Sequence, residues 1–184
     1  MQMQPMKRLL NWLEQNANKE HYLFLINDLR IICSELSEEA FRTLLSRVVK
    51  LGYLERVSRR LYAFKSSNYS NGLLLFHAAA YLRSNEFNYI SLETVLSDAG
   101  VISQLPINSI FVMSSGRSNR ISCGIFGIIE FIHTSQKPTE IMDELSYDSN
   151  CRMWRASVRQ ALRDMKKTQR NMDLIDWNIV NEFI

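Results

Sequence analysis

LSEEAFRTLLSRVVKLGYLERVSRRLYAF, residues 36–64, is the stretch that decides how the first third of this chain reads. Phe41, Leu44, Leu45 and Val48 recur at i, i+3, i+4 and i+7, the spacing of a helix with one buried stripe. Ser37 stands before that helix as an N-cap, and Glu38 and Glu39 fall in its first turn, where carboxylates suit the positive end of the helix dipole. At 100° per residue the opposite side carries Arg42, Thr43, Ser46, Arg47 and Lys50, hydroxyls and cations with no acid among them. Such a side suits a DNA major groove, with hydroxyl and guanidinium groups for base edges and phosphates. Gly52 is placed to end the helix in a left-handed conformation. The following Leu54 to Phe64 holds two short apolar stretches around Ser58, Arg59 and Arg60, which reads as a hairpin with a basic tip.

Upstream, Met6, Leu9, Leu10 and Leu13 predict an amphipathic helix from Met6 to about Asn16. Tyr22 to Leu25 reads as a short strand. Asn27 or Asp28 is the expected cap of a second helix that turns Ile26, Leu29, Ile32 and Cys33 inward. Three helices, a short strand and a basic-tipped hairpin make a winged helix-turn-helix, in which the third helix enters the groove and the hairpin approaches the backbone. Charge is distributed accordingly. Residues 1–67 hold eleven Lys and Arg against seven acids, a net of +4, while the remainder holds eleven against twelve, a net of −1. Positive charge gathered in a small N-terminal unit is what phosphate binding requires.

The same stretch resembles the N-terminal domain of AbiEi-type antitoxins of bacterial abortive-infection toxin–antitoxin systems. The resemblance is carried by Leu44, Leu45, Ser46 and Arg47, then Gly52, Leu54, Arg56 and Val57, and finally Leu61 and Tyr62. One position departs: the family often has glycine where this chain has Arg60, so a left-handed turn there is disfavoured.

Residues 66–72 (SSNYSNG) are polar and turn-rich and mark the expected boundary between a domain at 1–66 and a second at 73–184. Leu73 to Leu82, apolar on nearly every side, predicts a buried helix. Ser91 is the expected cap of a helix from Leu92 to Ala99, with Gly100 as its stop. Ser109–Met113 and Ile121–Ile132 have the content of strands, joined by a Ser-Gly-Arg-Ser-Asn turn. The expected fold class is therefore α+β: a winged helix-turn-helix, then an α+β domain with a small antiparallel sheet and helices on both sides. Asn88–Ser103, Ile125–Thr134 and Ala156–Asp164 also resemble AbiEi segments, in the same order. The resemblance implies an antitoxin that represses its own operon and opposes a nucleotidyltransferase-like toxin without necessarily binding it stably.

From Arg152 to Arg170 a helical reading places Trp154, Val158, Ala161, Leu162 and Met165 on one face. Arg152, Arg155, Arg159, Arg163, Lys166 and Arg170 lie within about 60° of a common direction on the other. Like charges four residues apart repel by roughly 0.2–0.5 kcal/mol per pair, so a counter-surface is expected for this second basic surface: DNA, RNA, a toxin, or acids of this chain.

Catalysis is not expected. Glu130 and His133 lie three apart on a predicted strand and face opposite sides. The chain has no phosphate-cradling glycine loop, nucleophile elbow or His-Glu-x-x-His. Cys33, Cys123 and Cys151 are too scattered for a disulfide framework or a zinc signature, and His21, His77 and His133 are equally dispersed, so neither metal nor cofactor is expected. No apolar run approaches the roughly 20 residues of a membrane span, and no secretory signal is visible, which points to the cytoplasm. The functional expectation is an autorepressing antitoxin that binds operator DNA. The alternatives are a stand-alone regulator whose second domain takes a small effector, and an interaction module that has lost DNA affinity.

Overall fold

The computed structural model describes residues 4–103 and 108–183. The chain divides into two compact units, Met1–Leu74 and Leu75–Ile184. It is of mixed α+β class, with eight α-helices and sheets of three and six strands among the described residues.

In the first unit the order is α1 (Pro5–Asn16), β1 (Leu23–Leu25), α2 (Ile26–Ile32), α3 (Glu38–Lys50), β2 (Leu54–Arg56) and β3 (Leu61–Phe64). Pro5 opens α1, a position whose missing N–H costs nothing. The cap of α2 differs from the expected one. Neither Asn27 nor Asp28 precedes the helix; Asp28 lies within its first turn, and its carboxylate accepts the Leu25 N–H at 3.0 Å. Ser37 caps α3 as its sequence predicts, its Oγ accepting the Ala40 N–H at 3.2 Å. At the far end Gly52 adopts φ +81°, so that its own N–H reaches the Val49 carbonyl at 3.0 Å and the Tyr53 N–H the Val48 carbonyl at 3.2 Å. This closes the helix carbonyls in a Schellman motif.

Leu9, Leu13, Phe24, Leu29, Phe41, Leu45, Val48, Leu54 and Phe64 fuse into one core. Burying the α3 stripe there leaves its other side outward. Arg30 fixes the turn ahead of α3, donating to the Cys33 and Leu36 carbonyls at 2.6 Å each and lying 5.3 Å over the Phe41 ring. The sheet order is β1-β3-β2, all antiparallel, with Leu25 opposite Leu61 and Arg56 opposite Tyr62. The β2–β3 turn needs no left-handed residue. Arg60 has a negative φ, Val57 and Ser58 both donate to the Leu61 carbonyl, and the Ser58 hydroxyl accepts the Arg60 N–H at 3.4 Å.

The second unit corrects the expectation of a small antiparallel sheet. Its elements are α4 (Leu74–Leu82, whose first residue closes the first unit), β4 (Asn88–Ile90), α5 (Leu92–Asp98), β5 (Ser109–Ser114), β6 (Asn119–Ser122), β7 (Ile128–His133), α6 (Pro138–Ile141), β8 (Leu145–Asp148), β9 (Met153–Ala156), α7 (Val158–Lys167) and α8 (Trp177–Val180). The strands form one six-stranded mixed sheet, β6-β7-β5-β4-β9-β8, in which β5–β7 and β4–β9 are parallel. The Ser115-Gly116-Arg117 turn does not close a hairpin, because β7 inserts between β5 and β6. Ile121–Ile132 is likewise two strands. Between them Gly127, at φ +120°, brings its backbone so near the Asn108 carbonyl that a Cβ would stand 2.0 Å from that oxygen. α5 packs against α7 and β5.

The predicted helix over 152–170 is corrected as well. Residues 153–156 are strand β9, and α7 begins only after Ser157, whose Oγ accepts the Gln160 N–H at 3.1 Å. No helix among the described residues is long and apolar enough to cross a membrane.

Candidate nucleic-acid interface

The amphipathic pattern of α3 puts Arg42, Thr43, Ser46, Arg47 and Lys50 together on the outside of the first unit. All five are exposed, and together they line one open hollow of about 440 Å3. Arg42 is not wholly free, since its Nε donates to Glu38 at 3.0 Å. The Thr43 hydroxyl donates to the Glu39 carbonyl at 2.9 Å, so its remaining capacity is as an acceptor. Among the described residues Arg47 and Lys50 make no ion pair. Two exposed cations one turn apart at the end of a helix are thus available to an anion.

A second hollow, of about 500 Å3, runs between α3 and the β2–β3 hairpin. Leu45, Val49, Ile26 and Tyr62 give it apolar walls, while Arg42, Lys50, Arg56 and Arg59 ring it with positive charge. Among the described residues no carboxylate lines either hollow. A depression with cations on both banks suits a phosphodiester strand, whose charges are spread along its length.

Of the two hairpin arginines predicted for the site, Arg59 joins α3 and Arg60 does not. Arg60 is exposed but lines neither hollow, and its backbone carbonyl accepts the Ile26 N–H at 2.9 Å. Arg56 is the member that the site prediction missed. Strand alternation assigns it to the same face as buried Leu54, which argues against a surface role. It ends its strand, however, and emerges beyond the core. The signal that could have found it is its place one residue before the turn of a basic hairpin.

The second basic surface is not one surface. Arg155 lies in β9 and holds Asp98 at 2.7 Å and Asp148 at 3.4 Å. Arg170 lies beyond α7, binds Glu93 at 2.5 Å and Glu130 at 2.6 Å, and sits 4.6 Å over the Phe111 ring. Arg152 is in a turn with φ +57°. Only Arg159, Arg163 and Lys166 share the exposed face of α7, joined there by Lys167. Glu144 stands 4.0 Å from Arg159 and 3.2 Å from Arg163. Acids from distant parts of the chain therefore answer much of the charge that a continuous helix would have left facing outward.

Sequence reasoning also missed a buried polar cluster in the second unit. Asp164, fully buried on the flank of α7, accepts from Ser91 Oγ at 2.7 Å, Gln160 Nε2 at 2.9 Å and Gln136 Nε2 at 3.0 Å. Ser91 precedes α5 as expected, but its hydroxyl goes to Asp164 and not to the helix N-terminus. Burial raises the Asp164 carboxyl above the ordinary range against the lowering effect of these donors.

Glu130 and His133 do not converge: Glu130 meets Arg170, and His133 Nδ1 bonds the Gly116 carbonyl at 2.9 Å. All three cysteines are buried, and burial pushes the Cys123 and Cys151 thiols up to about 11. No protein-family model matches the chain, and no curated protein matches it.

Proposed function

We propose that the first unit is a winged helix-turn-helix that holds operator DNA, and that the protein is a cytoplasmic antitoxin of the AbiEi type that represses its own promoter and counteracts a nucleotidyltransferase-like toxin. The observation that carries the DNA half is a pair of hollows with no acid among the described residues of their lining, one on α3 alone and one between α3 and the hairpin. In this reading Ser46, Thr43 and Arg47 face base edges, while Lys50, Arg56 and Arg59 hold phosphates. Arg60 supports from outside the groove. The antitoxin half rests on the resemblance of motifs in order along both units, and the toxin is its implied partner.

The test of the DNA half is a mobility shift of the native promoter at several salt concentrations. Three or four phosphate contacts per bound copy give a slope of log K on log salt of about −3 to −4. Replacing Arg47 and Lys50 by Ala is expected to lower the affinity at least tenfold while the melting temperature stays nearly the same. An unaltered affinity removes α3 from the interface. The antitoxin half is tested separately, by expressing the product of the adjoining downstream gene with and without this chain. If that product leaves growth unaffected, the antitoxin reading is lost and the DNA reading stands.

A further inference from the structure

A hollow of about 250 Å3 lies within the second unit, between the loop that follows α4 and the β8–β9 hairpin. Its walls carry Phe87, Tyr147 and Trp154, the cations Arg83 and Arg152, and one carboxylate, Glu86, which is paired with Arg83. Tyr147 and Trp154 face each other across the hairpin with ring centroids 5.5 Å apart at 74°, Phe87 stands on the loop side, and Tyr147 is 56% exposed.

Two polar groups in these walls are left without a counterpart. The first is Arg152. It is half-buried and, unlike Arg83 beside it, has no ion pair among the described residues. Arg83 is fully engaged by Glu86, Ser114 Oγ and the Arg117 carbonyl. Arg152 is moreover held at φ +57°, a conformation that costs a side-chain-bearing residue energy and that glycine adopts freely. The second is Asn88. Its Nδ2 donates to the Arg83 and Glu86 carbonyls at 2.7 and 2.8 Å, which fixes the amide orientation and leaves Oδ1 shielded from water with no donor. That acceptor is part of the solid wall and is not reached from the hollow.

We propose that this hollow is a binding site for a nucleoside monophosphate. The base lies against Trp154 and Tyr147, and the phosphate pairs with Arg152. Base–aromatic stacking tolerates any base because each has a π-face, and arginine matches phosphate with paired N–H donors. The site stands apart from the DNA reading and does not rest on it. It gives the second unit a ligand of the kind an effector-responsive regulator needs.

The experiment is calorimetric titration of the full chain, without DNA, with AMP, GMP, CMP and UMP, and with adenosine, ribose 5-phosphate and inorganic phosphate as fragments. At least one mononucleotide is expected to bind with Kd below about 1 mM, and each fragment at least tenfold more weakly. Arg152→Gly removes the cation while relieving the backbone, so this variant should melt no lower than the parent and bind the mononucleotide at least tenfold more weakly. Tyr147→Ala, at an exposed position, should weaken it severalfold. The proposal is overturned if no mononucleotide binds, if ribose 5-phosphate or phosphate binds equally well, if only oligonucleotides bind, or if Arg152→Gly binds like the parent. None of these results bears on promoter binding by α3.

Discussion

Arg47, Lys50 and Arg56 look alike as residues but were unequally legible. The first two follow from counting around a helix whose buried stripe is unambiguous, a local pattern that fixes the outward side as firmly as the inward one. Arg56 depends on where a strand ends, and period-two counting is blind to that. Arg56→Ala should reduce the salt slope of promoter binding by about 0.9, the share of one phosphate, with little change in melting temperature. An unchanged slope would place Arg56 outside the contact.

Asp164 was illegible for a different reason. An aspartate at the flank of an amphipathic helix reads as solvated, and only the assembled unit brings Ser91, Gln136 and Gln160 to it. Its replacement by Asn puts an N–H where donors already converge and should cost about 1–3 kcal/mol. The pH dependence has a definite sign. With the folded pKa raised above the unfolded value of 3.8, the native state holds its proton in the interval between the two, and stability falls as pH rises through it. The variant lacks this gain on acidification, so its deficit in denaturant unfolding should widen from neutral pH down toward 4. A deficit that narrows instead would mean that the carboxylate is the favoured native form.

At the scale of elements, α3 owes its position to its two ends as much as to its stripe. Ser37→Ala removes the acceptor for the Ala40 N–H and should lower stability by about 1 kcal/mol, read by urea denaturation. Gly52→Ala meets no neighbour within 4 Å, yet it places a Cβ on a residue at φ +81°. The resulting loss of about 1 kcal/mol or more is therefore conformational in origin and not a clash. Helix caps and stops of this kind are readable because they are chemistry between residues three to five apart. Strand partners are not. The Ser-Gly-Arg-Ser-Asn segment announces that the chain leaves β5, but nothing in it says that β7, and not β6, becomes the neighbour. The same gap explains the misplaced helix at 152–156: Trp154 satisfies a helical face on paper, while pairing with β4 and β8 makes it strand.

Across the whole molecule, the division at Leu74 separates a basic unit with its own core from a larger one whose sheet and core are self-contained. A fragment comprising residues 1–74 should therefore melt cooperatively by circular dichroism and shift promoter DNA with nearly the salt slope of the full chain. A fragment that folds but shows a much shallower slope would assign part of the phosphate contact to the second unit, where Arg117, Arg120, Lys137, Arg159, Arg163, Lys166 and Lys167 are exposed. What the sequence conveyed at this scale was the charge asymmetry and the polar connector, both properties of composition. It did not convey the six-stranded sheet, which is assembled from pairings up to some sixty residues apart.

The parallel seam between β4 and β9 has a consequence for synthesis. Strand β4 leaves the ribosome long before β9 at 153–156 exists, and until then one of its two edges offers unpaired N–H and C=O groups beside the fully buried Tyr89 and Ile90. A transcript cut short ahead of codon 153 releases a chain with that edge permanently open, a template for intermolecular pairing. Premature stops shortly ahead of codon 153 are thus expected to yield inclusion bodies and not a shortened functional product.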